Sequence, residues 1–342
     1  MRKRPLIVGG LVLVLVAVAV VGVRMWRGTA GSDLEQAAGY APDDAQRLSW
    51  TDWARVREEV GTDDLQDLLD AGFDADLTSA SALVGSAPLL QPRFGFSPAT
   101  AEWELFSQSD AGAVVIVRMP EDTDFDELAD TLDDTGFTRP DEDDGVWEGG
   151  AQLLPTIGAD LTPELQYVAL DADERLVLTS DTQEYLEQTV EDLRQGGSPA
   201  PMGEVLAASG DPLTASVYDG DYTCSALAMS QADASDQELA DRLIEAAGEV
   251  NPVTAFAMSV QPDRSVRVAL AFENADQARA NADSRAVLAE GPAAGQGGEF
   301  GDRFTVGSVT AEGDVVTMDL EPREGSFVFS DLSSGPVLFA TC

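Results

Sequence analysis

The chain opens on one uninterrupted apolar run. Met1-Arg2-Lys3-Arg4 precedes Leu6 to Val23, a stretch without a charged or strongly polar side chain. As a helix it spans about 27 Å, at roughly 1.5 Å per residue, just enough for a hydrocarbon core of about 30 Å. Trp26, between Arg24 and Arg27, sits where an interfacial aromatic belongs. A cleaved signal peptide has a shorter apolar stretch with small residues directly behind it. Here Thr29-Ala30-Gly31 lies beyond both arginines. The pattern predicts a single-pass transmembrane helix over 6–23, with residues 1–5 as a cytoplasmic tip.

Beyond the helix the periodicity changes. Residues 24–48 show no sustained repeat and read as a juxtamembrane stalk. Ser49 to Val60 carries Trp50, Trp53, Val56 and Val60 on one helical stripe, with Gly61 as a stop. Asp64 to Ala71 reads as a second short helix. From about Trp103 strands alternate with helices. Ala113 to Met119 is a continuous apolar run, the mark of a buried strand. Leu165–Leu170 with Arg175–Thr179, Thr254–Val260 with Ser265–Phe272, and Val306–Thr310 with Val315–Leu320 read as hairpins around polar turns. Phe327–Ser330 and Val337–Ala340 form a fourth candidate pair.

Helix starts show capping-box spacing at Asp124/Glu127, Asp181/Glu184, Ser235/Glu238 and Asn274/Gln277. A hairpin followed by a capped helix occurs at 165–193 and again at 254–289. These features predict an α+β fold of antiparallel hairpins and capped helices. They divide into two related halves, 49–195 and 204–342, joined by a Gly/Pro-rich linker at 196–203. Successive hairpins argue against a doubly wound parallel sheet.

Charge adds a side of the membrane. There are 62 acidic and 20 basic side chains, no histidine, and a net charge of −42. Every acid lies at or beyond Asp33, so an anionic cytoplasmic leaflet would repel the bulk of the chain. The basic tip before the apolar run agrees with an N-in orientation. Residues 28–342 are therefore expected outside the cytoplasm. The same charge argues against nucleic acid as a partner. The expected partners are the protein's own bilayer, through residues 6–23, and another envelope or membrane protein. The two cysteines, Cys224 and Cys342, read as one disulfide in an oxidising compartment. It would close a loop of roughly 120 residues, worth about 4–5 kcal/mol in the chain-entropy model.

Candidate chemistry is sparse. Without histidine there is no Ser-His-Asp triad and no imidazole metal ligand. Lys3 is the sole lysine, which excludes a Ser–Lys pair in the exported part. Asp134-Thr135-Gly136 matches the core of an aspartic-protease loop. It stands alone at the end of a predicted helix, where Gly136 serves better as a stop. Asp141, Asp143 and Asp144 cluster as weak calcium candidates, without EF-hand spacing. Arg93, Phe94 and Phe96 form a candidate contact loop, because arginine and aromatics are enriched at binding hot spots. No catalytic residue and no cofactor is assigned. The expected function is a non-catalytic binding or accessory module of an envelope assembly. The alternatives are a carboxylate-dependent hydrolase of envelope polymers, which needs two carboxyl groups and no histidine, and a calcium-dependent surface adhesin.

Overall fold

The structure is a computed structural model, and it describes residues 31–142, 145–196, 200 and 202–342. The expected transmembrane helix at 6–23 lies outside the described residues. The rest is a mixed fold of helices and one fully antiparallel sheet of eleven strands. In chain order the strands are β1 (Arg47–Thr51), β2 (Trp103–Gln108), β3 (Ala113–Arg118), β4 (Val146–Glu148), β5 (Tyr167–Asp171) and β6 (Leu176–Ser180). The remaining five are β7 (Thr214–Asp219), β8 (Ala255–Val260), β9 (Val266–Ala271), β10 (Phe304–Glu312) and β11 (Val315–Pro322). Their spatial order is β10-β11-β9-β8-β7-β1-β2-β3-β6-β5-β4.

That order is nearly symmetrical about the β1–β7 seam. On each side an inner strand is followed by a helical crossing, then by a hairpin (β2–β3 or β8–β9). A helix follows, and an outer hairpin folds back to lay its second strand against the first. The matching segments are thus 103–135 and 255–290. The repeat expected from the sequence, 165–193 with 254–289, is therefore not the one the strand order matches.

Strand alternation sends successive side chains to opposite faces, and both faces are covered. On the broad face Phe106, Val115, Val117, Phe256, Met258, Val268, Leu270 and Met318 build the larger core. Helices α2 (Trp53–Val60), α3 (Leu65–Asp74), α4 (Ala87–Phe94), α5 (Phe125–Thr135) and α6 (Gly150–Ile157) cover its first half. On the narrow face Leu48, Trp50, Leu105, Val114, Ile116, Leu178 and Val217 pack beneath α1 (Asp33–Ala38), α7 (Gln183–Arg194) and α8 (Gly203–Ala208). Helices α9 (Ala234–Ala247), α10 (Ala275–Glu290) and α11 (Val328–Ser333) close the second half of the broad face.

Several expectations need correction. Of the segment expected to be a stalk, 24–48, the described part from residue 31 on is built into the fold. Ser32 and Glu35 form a capping box, and Leu34, Ala37 and Ala38 of α1 are buried against the sheet. The helix expected from Ser49 begins at Trp53 instead. Ser49, Trp50 and Thr51 belong to β1, which is paired on both sides. Trp50 and Trp53 therefore enter opposite cores rather than one stripe. Asp52 makes the break, because its carboxylate accepts from Arg55 N as the N-cap of α2. The fourth strand pair does not form. Phe327–Ser330 runs into α11, and Leu338–Ala340 is a short 3₁₀ turn.

That last segment is a tail packed inside the core, with Val337 to Ala340 wholly buried. The Arg285 side chain, itself fully buried, donates to the carbonyls of Phe339 and Thr341 and to Asn281 Oδ1, at 3.0, 2.5 and 3.2 Å. It also reaches the Asn251 carbonyl. Burial pulls its pKa down to about 10, so it keeps its charge at neutral pH. The expected disulfide closes the arrangement. Cys224 and Cys342 are bonded, 118 residues apart. The paired Cys224→Ser/Cys342→Ser variant is expected to lose about 4 kcal/mol of unfolding free energy, read from urea melts of oxidised protein.

Candidate functional site

A concavity lined by both apolar and charged side chains lies on the narrow face, between α7 and the β5–β6 hairpin. Its construction follows from two periodicities. Leu176 and Leu178 alternate with Val177 and Thr179 along β6, so the leucines face α7. Tyr185, Leu186, Thr189, Val190 and Leu193 recur at helical spacing and turn one side of α7 to the sheet. Tyr185 fixes the first turn of that helix. Its hydroxyl donates to Asp44 at 3.0 Å and accepts from Ser109 Oγ at 3.2 Å. Burial and the Asp44 carboxylate push its pKa up to about 12, against the Ser109 hydrogen bond.

Toward Arg194 a cavity of about 420 Å³ lies between the helix and the β5–β6 hairpin. Ala169, Leu178, Val190 and Leu193 line its apolar side. The Asp171–Glu174 turn and Arg194 line its polar side. The turn is held from three directions. Asp171 Oδ1 accepts from Glu174 N at 2.8 Å. Glu174 accepts from the Tyr40 hydroxyl at 3.1 Å and pairs with Arg118 at 4.0 Å. Arg175 donates to the carbonyls of Pro120 and Thr123. The cavity mouth is therefore preorganised, and it brings apolar surface and charge together within one small-molecule volume.

The groups with the most perturbed acidity lie elsewhere. Glu104 is wholly buried on β2. It accepts from Trp53 Nε1 at 2.7 Å, Ser81 Oγ at 2.8 Å and Ala82 N at 2.7 Å. Burial pushes its carboxyl up to about 7, and these donors oppose the shift. Asp52 is raised to about 6 by burial, against its hydrogen bond and charge contact with Arg55. Glu102 is raised as well, burial again first and Arg118 opposing. None of the three lines the α7 cavity or the concavities beside Arg267, Asp263 and Asp76. Glu104 instead staples the 78–86 segment to the sheet. A raised carboxyl without access to solvent or substrate cannot serve as a general acid.

The residues singled out from sequence scatter. Phe94 and Phe96 are each 1% exposed, and both meet in the broad-face core, where Phe94 also packs edge-on against Phe137. The candidate contact loop is thus corrected to a core element, with Arg93 alone of the three at the surface. The apolar demand of the sheet outweighed the Gly/Pro bounds that had suggested a loop. Asp141 is exposed, and Asp143 and Asp144 lie outside the described residues. Among the described residues no cluster of three or more metal-ligating side chains occurs. Gly136 ends α5 with φ +104°, the left-handed conformation of a helix stop. The α7 cavity had no sequence signal, because its apolar side is ordinary helix and strand pattern.

No protein-family model matches the chain, and no curated protein matches it. Two solved structures align, crystal forms I and III of TP0453. Their TM-scores are 0.42 and 0.40, at 9% and 8% identity. They cover 91% and 87% of this chain, and 100% and 98% of theirs. A likeness that distant supports no argument about function.

Glu104 generates a pH prediction. Its folded pKa stands above its unfolded value of 4.5. Its contribution is therefore complete below that value and lost as pH rises through the folded pKa, near 7. Relative to Glu104→Gln, the wild type should lose stability between about pH 4.5 and 7. Urea melts of both proteins across that window check this. A difference that does not change with pH would contradict the buried-carboxyl assignment.

Proposed function

We propose that this protein is a single-pass, membrane-tethered extracytoplasmic module that acts by binding rather than catalysis, as an accessory component of an envelope assembly. One observation carries the reading furthest. The α7 cavity opens at the end of the sheet where the chain arrives from the tether. Asp33, at the start of α1, exerts its charge on Asp52 and Glu102, which flank β1 and β2 at that end. Through the strand registers Trp103, Arg118 and Leu176 stand in line there, and the Asp171–Glu174 turn lies beside them.

With the tether in a bilayer, a site at that end would face the lipid surface. Its mixture of leucine, valine and charge suits a small amphiphile, with its apolar part against Leu178, Val190 and Leu193 and its polar part at the turn and Arg194. The matching strand order about the β1–β7 seam supports the reading of two related halves. In the second half the corresponding narrow-face cavity has Ala207, Ala208 and Val315 on its apolar side and Arg267, Thr317 and Asp319 on its polar side, with no leucine among them. The hydrolase alternative finds no support in the placement of Glu104 and Asp52, and the adhesin alternative finds none in the described acidic residues.

Gentle detergent extraction followed by native mass analysis tests the proposal. A bound small mass that disappears in Leu193→Trp, with melting changed by only a few degrees, is the expected result for the ligand form. A stoichiometric partner protein retained in that variant supports the accessory-subunit form. A bare monomer would count against both.

A further inference from the structure

The described surface carries two large apolar side chains that are mostly exposed, Phe73 at 60% and Val287 at 54%. Val287 stands singly, as surface apolar residues commonly do. Phe73 does not. Its ring packs against that of half-buried Phe327, with centroids 5.6 Å apart. The two belong to opposite halves of the chain, and the junction between them is fastened. Asp76, two residues beyond the C-terminal end of α3, accepts from the backbone N–H of Phe329 at 2.7 Å and of Ser330 at 3.1 Å, the first turn of α11. Arg264, in the β8–β9 turn, donates to the Ala75 carbonyl at 2.6 Å. The aromatic pair is thus a fixed projection rather than a stray side chain.

Its place on the sheet gives it a neighbour. The β8–β9 turn follows Val260, which pairs with Thr214, and Thr214 pairs with Thr51. Thr51 in turn lies opposite Glu104, next to Asp52 and Glu102. The projection therefore stands at the same strand ends from which α1 begins. Residues 24–32 can reach about 30 Å at most when fully extended. A chain held in a bilayer by residues 6–23 keeps the start of α1, which lies at this end of the sheet, within that distance of the lipid surface.

We infer that the Phe73–Phe327 pair is a contact with the protein's own bilayer, seating the sheet on the lipid surface through its aromatic rings. The inference rests on the tethered reading given above. Asp74, Asp263 and Glu324 stand near the pair together with Arg264 and Arg323, so the patch carries no excess of positive charge to draw it to an anionic surface, and a zwitterionic one suffices. Aromatic side chains partition into the headgroup region of such a surface, and the acids remain in water around them.

The test uses the full chain in phosphatidylcholine nanodiscs with brominated acyl chains, which quench tryptophan on contact. Phe73→Trp reports on the projection. Ala111→Trp, in the exposed β2–β3 turn at the opposite end of the sheet, is the control. The expected result is that Phe73→Trp shows one more quenched tryptophan than the wild type and Ala111→Trp shows none. An unquenched Phe73→Trp beside quenched native Trp26 overturns the inference and leaves the tether standing. Shielding of that residue by a co-purifying protein also overturns it and assigns the patch to that protein. Equal quenching of both variants overturns it as unspecific adsorption. A wild type with no quenching at all overturns the tether and the contact together.

Discussion

The pairing of β1 with β7 is the interaction on which the rest of the structure depends. Its five rungs join two groups of strands into one sheet, with both partners paired again on their outer sides. An antiparallel sheet this wide exposes two faces, and each must be buried. The chain meets that constraint unevenly. Helices and the C-terminal tail crowd the broad face, and α1, α7 and α8 cover part of the narrow one. The cavity beneath α7 lies between that twelve-residue helix and the turn of the β5–β6 hairpin.

Buried polar groups then fasten the parts that sheet pairing does not reach. Glu104 collects a tryptophan, a serine and a backbone amide around one carboxylate. Arg285 collects three backbone carbonyls around one guanidinium. Each is a desolvated ionisable group held by donors or acceptors rather than by an opposite charge. Their perturbed acidity follows from this structural work. In an uncharacterised site such shifts invite a catalytic reading, and here geometry answers it, because both side chains are wholly buried.

Distribution of charge separates function from fold. Among the described acids only Asp52 and Glu104 are buried. Asp52, Asp64, Asp124 and Asp233 each cap a helix with their own carboxylate. Asp76 does comparable work across the junction of the halves, capping a helix from a distant part of the chain. The strongly negative exterior leaves the apolar projection at Phe73 and the mixed lining under α7 as the chemically distinct places on the described surface.

Local pattern by itself determined the hairpins β5–β6, β8–β9 and β10–β11, the buried strand β3, the caps at Asp124 and Asn274, and the cysteine pair. Each of these depends on neighbours in sequence, or on there being just two thiols to join. Tertiary structure decided the rest. Ser49 to Thr51 reads equally well as the first turn of a helix, and pairing with two distant strands makes it the centre of the sheet. Val337 to Ala340 has the pattern of a strand. Arg285 takes up its carbonyls, and the segment folds into the core as a turn. The α7 cavity and the Phe73–Phe327 pair were invisible for the same reason. Both form where segments far apart in the chain meet, and periodicity records which side of an element is apolar without recording what faces it.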